Sequence, residues 1–156
     1  MNIKIVPLIT SIGVSLLAGI IGSIFTFESI PTWYASINKP FFTPPNWIFG
    51  PVWTALYILM GITLYLTWES KPAKVRTYAI YFFFVQLVLN TIWSILFFGL
   101  KWPFGAFIEI VLLLSFIILT AFYMYKVNKL SGYLLIPYIC WVTFASLLNF
   151  AILMLN

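Results

Sequence analysis

Five long apolar stretches restrict the fold of this chain more than any other feature of its sequence. They span residues 5–27, 48–68, 77–100, 102–125 and 130–156, and the only charged residue inside them is Glu109. A helix needs roughly 20 apolar residues to cross the hydrocarbon core of a bilayer, and only 7% of the 156 residues are charged. The stretches therefore predict an all-α integral membrane protein, a five-transmembrane-helix bundle in which residues 1–156 form a single domain. A membrane β-barrel, built from alternating segments of about ten residues, is excluded.

The basic residues between these stretches predict an orientation. The N-terminal tail and the second and fourth loops lie on one side, and their six basic residues are Lys4, Lys71, Lys74, Arg76, Lys126 and Lys129. The other side carries only Lys39 and Lys101. The positive-inside rule then places the N-terminus in the cytoplasm and the C-terminus outside. Because the loops explain the net charge of +5, we expect a lipid bilayer and no nucleic acid as a partner.

The only long connection, residues 28–47, is rich in proline and aromatic residues, whereas a flexible linker would be rich in glycine and serine. We predict a structured loop between helices 1 and 2 that covers the outer mouth of the bundle. The second span is expected to begin at Ile48, with Pro51 in its first turn, where proline is tolerated. Ser15, Gly19 and Ser23 recur every four residues in the first span, which favours close helix packing.

Polar and aromatic residues share one face on three of the spans, at helical spacing. The three sets are Gln86, Asn90, Trp93 and Phe97; Tyr138, Trp141, Ala145, Leu148 and Asn149; and Trp53, Leu56, Tyr57 and Met60. Counted at about 1.5 Å per residue, the unusual side chains meet in the outer half of the membrane. This predicts a pocket with aromatic walls beneath the loop. The alternative is that Asn90 and Asn149 only join helices by hydrogen bonds.

We expect several other residues to have mainly structural roles. Trp47, Trp68, Trp102 and Tyr125 fit the aromatic belt of a membrane protein, and we assign them no function. Glu109 is either a neutral, hydrogen-bonded structural group or the proton-coupling group of a transporter. The fourth span is the least polar and is therefore expected to face lipid or a second subunit.

Three motifs go beyond composition: WYASINKPFFTPPNWIFGPVWTALY (33–57), NTIWSILFF (90–98) and PYICWVTFASLLNF (137–150). In order and spacing they resemble the TspO/MBR family of tryptophan-rich sensory proteins and translocator proteins, over essentially the whole chain. The resemblance implies a homodimer that binds protoporphyrin IX or haem as a ligand, with no required cofactor, and also sterols and flat drug-like molecules. Combined with the helix faces above, it indicates these ligand-binding residues: Trp33, Tyr34, Trp53, Tyr57, Asn90, Trp93, Phe97, Tyr138, Trp141, Phe144, Ala145 and Leu148.

The resemblance leaves three functions open. A membrane receptor for porphyrins and other flat hydrophobic molecules is the leading one. Some bacterial members are reported to degrade protoporphyrin in light, and Trp53 and Trp141 match the tryptophans tied to that reaction, so they are candidate catalytic residues. The third function is a transporter, although the chain lacks the broken helices and inverted repeats typical of such folds.

Two positions depart from the family pattern, and one residue type is missing. Animal members end with a sterol-recognition pattern, whereas Phe150 here replaces its tyrosine and no basic residue follows. Gly50 stands where a proline is usual, which predicts a looser start to the second span. Histidine, the commonest haem ligand, is absent. We therefore assign no metal site and expect metal-free porphyrin, or haem held by its faces.

Overall fold

The computed structural model describes residues 3–156, and within that range the chain is helical without strands. The elements are α1 (Ile5–Ser29), α2 (Trp33–Ser36), α3 (Asn46–Trp68), α4 (Lys74–Ser94) continued by a π-helical turn (Ile95–Gly99), α5 (Pro103–Val127), α6 (Lys129–Leu134) and α7 (Ile136–Leu155). Five helical segments are long and apolar enough to cross a membrane: α1, α3, α4 with its π turn, α5, and α6 with α7. The predicted five-helix bundle is confirmed.

The connections after α3, after the π turn and after α5 are short, so the spans that they join run antiparallel and the bundle has two distinct ends. We call the end that carries residues 30–45 the outer end. The inner end carries Lys4 and the loop between α3 and α4. Residues 30–45 form an ordered cover. The Lys39 ammonium donates to the backbone carbonyls of Tyr34 (2.6 Å), Ile37 (3.0 Å) and Ala35 (3.4 Å), where α2 ends. It also lies 5.0 Å from the centroid of the Tyr34 ring.

A second set of hydrogen bonds fastens the cover to the end of α7. The backbone N–H of Asn38 donates to Oδ1 of Asn156 (2.9 Å), and Nδ2 of Asn156 donates to the Asn38 carbonyl (3.0 Å). Nδ2 of Asn38 also donates to the carbonyl of Leu155 (3.2 Å). The C-terminus of the last span thus fixes the connection between the first two spans.

The start of α3 corrects the prediction for Pro51. The helix begins at Asn46 rather than Ile48, so Pro51 is its sixth residue and lies inside the helix. A proline there cannot donate the bond to the carbonyl four residues earlier, that of Trp47. Neither Pro51 nor Gly50 ends α3, which runs unbroken to Trp68.

The predicted close packing of α1 occurs against α3 and α4. A Cβ added to Gly61 would lie 2.4 Å from the Ile12 Cα, so the α1 and α3 backbones almost touch there. Gly19 faces the Tyr57 ring, and Gly22 faces the side chain of Ser94. Small residues allow this approach, which brings the outer halves of three spans around one space.

The fourth span, expected from its low polarity to face lipid or a second subunit, buries one side in the bundle and leaves the other exposed. In α5, 39% of the residues in the apolar stretch are buried, against 11% in α1. Ala106, Ile110, Leu113 and Ile117 of α5 are at most 1% exposed. The exposed side agrees with the expectation, but low polarity did not reveal the buried side, because apolar side chains suit a protein interior and a lipid environment equally.

Glu109 of α5 is also buried, with 7% of its surface exposed. Within residues 3–156 neither of its carboxyl oxygens has a hydrogen-bond partner. No protein group in this range supplies the expected hydrogen bond, and the choice between a structural group and a proton-coupling group stays a prediction.

Candidate functional site

A cavity of about 530 Å³ lies in the outer half of the bundle, beneath the cover. Its volume falls within the roughly 300–1,000 Å³ typical of small-molecule pockets. Four spans contribute to its walls: α1, α3, α4 with its π turn, and α7. The cover adds Tyr34, and the start of α3 adds Trp47 and Phe49.

Most of the predicted binding residues meet at this cavity. Those that line it are Tyr34, Trp53, Tyr57, Asn90, Trp93, Phe97, Trp141, Ala145 and Leu148. Trp33, Tyr138 and Phe144 do not line it, and all three lie behind residues that do. The Trp33 ring packs on Phe97, with centroids 5.5 Å apart. Phe144 packs on Trp141 at 5.7 Å, and Tyr138 packs on Trp53 at 6.2 Å.

A chain of buried hydrogen bonds fixes the deepest wall. The Tyr57 hydroxyl donates to Oδ1 of Asn90, and Nδ2 of Asn90 donates to the Tyr138 hydroxyl (2.8 Å). That hydroxyl in turn donates to Oε1 of Gln86 (2.9 Å). Four side chains from α3, α4 and α7 thus hold one another in place. Asn90 therefore joins helices by hydrogen bonds, as expected from the alternative interpretation of the sequence. It also lines the cavity.

A second polar connection ties the outer ends of three spans together. Nε1 of Trp93 donates to Oδ1 of Asn149 (3.2 Å), and Nδ2 of Asn149 donates to the Pro103 carbonyl at the start of α5 (3.0 Å). The Trp93 ring is stacked on Phe97, with centroids 5.3 Å apart and planes inclined by 19°. These contacts fix the orientation of the Trp93 ring at the cavity wall.

The π-helical turn brings two adjacent aromatic residues to the same cavity. Phe97 and Phe98 both line it, although consecutive residues of an α-helix point in different directions. The turn closes with a bond from the Leu100 N–H to the Ile95 carbonyl (2.7 Å), five residues earlier. Single π turns inside α-helices are frequent at functional sites. The sequence carried no signal for this one.

Trp141 has an unused donor. Its ring packs edge-on against Phe49, with centroids 5.9 Å apart. Its indole Nε1 is buried and has no hydrogen-bond partner within residues 3–156. Buried indole N–H groups usually find a partner.

The sequence did not predict the contribution of α1. Its cavity-lining residues are Leu16, Gly19, Ile20, Ser23, Thr26 and Phe27, and the sequence pattern pointed to Gly19 and Ser23 only as helix-packing residues. Trp47, assigned above only to the aromatic belt, is 73% exposed and also lines the outer part of the cavity. Gly50 and Thr54 lie beside it on α3. Except for the small Ser23 and Thr26, the α1 residues are apolar or glycine and resemble lipid-facing positions.

The polar groups in the cavity wall are uncharged. None of its lining residues within the described chain is charged, and most of them are apolar or aromatic. At the cover, burial raises the pKa of the Tyr34 hydroxyl to about 12. The site is therefore suited to a hydrophobic molecule whose charged groups remain at the mouth.

The comparison with known proteins agrees with this architecture. The family model described as "TspO/MBR family" matches residues 11–155. The chain belongs to the TspO/MBR family. It is 50% identical to the "Tryptophan-rich protein TspO" of Archaeoglobus fulgidus, an alignment that covers 98% of this chain and 99% of that protein. It is 33% identical to the "Tryptophan-rich sensory protein" of Cereibacter sphaeroides, over 80% and 77% of the two chains. It is also 33% identical to the human "Translocator protein", over 85% and 79%.

Membership of the TspO/MBR family and the five apolar helices together make this a multi-pass integral membrane protein. Gly50, where the resemblance predicts a departure from the family pattern, lines the cavity. A Cβ added to Gly50 would meet no atom within 4 Å, so a methyl group fits there. Phe150, at the other departure, packs on Phe107 with centroids 5.3 Å apart and is 45% exposed.

Proposed function

We propose that this protein is a membrane receptor that binds protoporphyrin IX, or haem held by its faces, in the cavity of the outer half. The observation that supports this most is the composition of the wall, which combines several aromatic rings with no charged side chain. A porphyrin is a large flat π-system, and each aromatic contact with it contributes about 0.5–1.5 kcal/mol beyond area burial. Its two propionates would reach water at the outer mouth.

The polar groups of the wall indicate what kind of contact selects the ligand. The indole Nε1 of Trp141 is buried and is not presented to the cavity space. The remaining polar groups of the wall are largely occupied by one another. Asn90 already accepts from Tyr57 and donates to Tyr138. We therefore expect shape and ring contacts to dominate the selection of ligands.

Fluorescence titration tests this proposal. Protoporphyrin IX added to the purified protein should quench tryptophan emission saturably, and Trp141→Ala should weaken the affinity by about tenfold or more, as for the loss of one or two kcal/mol. Trp68→Phe, at the inner end of α3, serves as the matched control and should leave the affinity unchanged. Linear quenching without saturation, or equal affinities in all three proteins, would reject the cavity as the binding site.

Light-dependent degradation of porphyrin is a second candidate function. Trp53 and Trp141 both line the cavity, so each would lie beside a bound ring. The reaction would consume molecular oxygen, with a tryptophan as the electron donor. Loss of porphyrin absorbance under light and air, abolished in Trp53→Phe or Trp141→Phe, supports it. Unchanged turnover in both variants counts against it.

We further propose that the protein is a homodimer and that its inner end faces the cytoplasm. The orientation rests on the charge of the inner end, which carries the six basic residues of the tail and of the second and fourth loops. Labelling single cysteines introduced at Lys39 and Lys74 in intact cells tests it. Only the Lys39 position should react with a reagent that does not cross the membrane. Reaction at the Lys74 position alone would show that the orientation is the opposite of the one proposed.

A further inference from the structure

A second recess, of about 470 Å³, lies at the inner end of the bundle, far from the cavity described above. It is formed where the loop between α3 and α4 meets the end of α5. Its lining residues are Leu66, Glu69, Ser70, Lys71, Ala73, Val75, Lys126, Val127 and Asn128. The lining combines Lys71 of the α3–α4 loop and Lys126 of the last turn of α5 with apolar side chains from three helices, so the recess is amphipathic.

The recess has a positive net charge because its acidic residue is paired with a lysine outside its lining. Its one acidic residue, Glu69, forms an ion pair with Lys4 at 2.7 Å. The hydrogen bond and the charge of Glu69 raise the pKa of the Lys4 ammonium, which therefore stays charged. The charges of Lys71 and Lys126 are then not balanced by an acid of the recess. An anion is the complementary ligand.

Arg76 supports the loop beside the recess. Its guanidinium donates to the backbone carbonyls of Trp68 (3.0 Å) and Ser70 (2.9 Å), between which Glu69 lies. It also lies 6.0 Å from the centroid of the Trp68 ring. These contacts hold the segment that presents Glu69 and Ser70 to the recess, so the recess has a fixed wall on that side.

The recess lies at the level of the membrane surface. Trp68 is 54% exposed at the end of α3, as expected for an aromatic residue at the interface. The Lys126 ammonium lies 4.1 Å from the centroid of the Phe122 ring, which is itself 51% exposed on the lipid-facing side of α5. Lys126 therefore lies at the boundary between the lipid-facing surface and the recess.

We propose that this recess binds the headgroup of an anionic phospholipid. Lys71 and Lys126 pair with the phosphate, and Leu66, Val75 and Val127 contact the glycerol and the first part of the acyl chains. The apolar wall favours an amphiphile over free phosphate, because a small hydrated anion gains nothing from it. Basic pockets between transmembrane helices bind anionic headgroups in this way. The inference is independent of the function proposed for the outer cavity.

Trp68 provides a local signal for the experiment. Among residues 3–156 it is the tryptophan at the inner end, and the other six belong to the cover, the cavity or the outer loops. The protein is placed in phosphatidylcholine nanodiscs that contain brominated phosphatidylglycerol or, at the same mole fraction, brominated phosphatidylcholine. Bromine quenches tryptophan only at contact. The difference in quenching between the wild type and Trp68→Phe comes from Trp68 alone. It therefore measures the brominated lipid beside the recess.

A matched pair of double variants separates a site from general surface charge. Lys71→Gln with Lys126→Gln changes the two lysines of the recess. Lys74→Gln with Lys129→Gln removes the same charge at the same end, from residues that do not line it. In the wild type, phosphatidylglycerol should quench Trp68 at a lower mole fraction than phosphatidylcholine does. The recess variant should need about thirtyfold more phosphatidylglycerol, because two basic contacts of about 1 kcal/mol each are lost, and the control variant should behave as wild type.

Three results would overturn the proposal. The first is an equal loss of phosphatidylglycerol affinity in both double variants, which would mean that only net surface charge matters. The second is an unchanged phosphatidylglycerol affinity in both variants. The third is relief of quenching by millimolar inorganic phosphate, which would make phosphate rather than phospholipid the ligand. All the substituted lysines are on the surface, and unchanged melting temperatures confirm that the variants are folded.

Discussion

The Tyr57 hydroxyl on α3 donates a hydrogen bond to Oδ1 of Asn90 on α4, at the deepest wall of the outer cavity. Tyr57 is 7% exposed and Asn90 is 2% exposed. The Tyr57 ring also covers Gly19 of α1, where a Cβ would lie 2.4 Å from a ring atom. A single tyrosine thus joins three spans at the floor of the cavity, so the shape of the site depends on it.

Removing the Tyr57 hydroxyl should destabilise the protein slightly. Tyr57→Phe removes one buried interhelical hydrogen bond, which contributes about 0.6 kcal/mol in membrane proteins and at most about 1.7. Tyr138→Phe should cost more, because that hydroxyl both accepts from Asn90 and donates to Gln86. Denaturant unfolding in detergent measures both free energies. Tyr78→Phe, at an exposed position of α4, is the control; equal effects at all three positions would show that the network contributes nothing.

A methyl group at Gly61 should force α1 and α3 apart. Its Cβ would lie 2.4 Å from the Ile12 Cα and 2.8 Å from the Ile12 backbone nitrogen, and a backbone cannot turn away as a side chain can. We expect Gly61→Ala to lower the free energy of unfolding by about 1–3 kcal/mol. Gly13→Ala on α1 is the matched control, because its Cβ meets no atom within 4 Å. A Gly61→Ala protein as stable as the control would show that the two helices are not in contact there.

Loss of the Lys39 ammonium should loosen the cover. Lys39→Gln removes donors to three backbone carbonyls and the contact with the Tyr34 ring. Limited proteolysis should then cleave residues 30–45 severalfold faster, and bound protoporphyrin should dissociate faster. Lys101→Gln changes an exposed cation at the same end and should alter neither rate. The prediction fails if the two variants are cleaved at the same rate.

The cover should also open at high pH through Tyr34. Burial raises the pKa of its hydroxyl to about 12 from an ordinary value near 10. Because the folded protein holds the proton more tightly than the unfolded chain, this stabilising contribution is complete below pH 10. It is lost as the pH rises from 10 toward 12. Proteolysis of residues 30–45 in this range, compared with Tyr34→Phe, measures it; identical pH profiles for the two proteins would exclude Tyr34 as the cause.

The sequence predicted the number of spans and much of the site because both leave physical signals. A span must be apolar for about 20 residues. A polar side chain at mid-depth, such as Asn90, must face inward to find a partner. Proline and aromatic residues in the long connection indicated an ordered cover, and its bonds from Lys39 and Asn38 agree with that.

The remaining features leave no such signal. Ile20 and Phe27 of α1 line the cavity, yet they are 60% and 74% exposed and look like lipid-facing residues in sequence. Hydropathy likewise could not show that α5 is more buried than α1, since lipid and protein interior both accept apolar side chains. The π turn after Ser94 depends on how the end of α4 packs. The apolar stretch that predicts a helix from Ile48 does not include Asn46 and Trp47, which form the first residues of α3.

The location of a bound tetrapyrrole tests the central claim most directly. Crystals grown with zinc protoporphyrin IX allow the zinc to be located by anomalous scattering, without assumptions about side-chain positions. If the outer cavity is the binding site, the zinc lies inside it, with the ring between α3 and α7 and beside Trp53 and Trp141. A zinc position on the lipid-facing surface, or at the inner recess lined by Lys71 and Lys126, would contradict it.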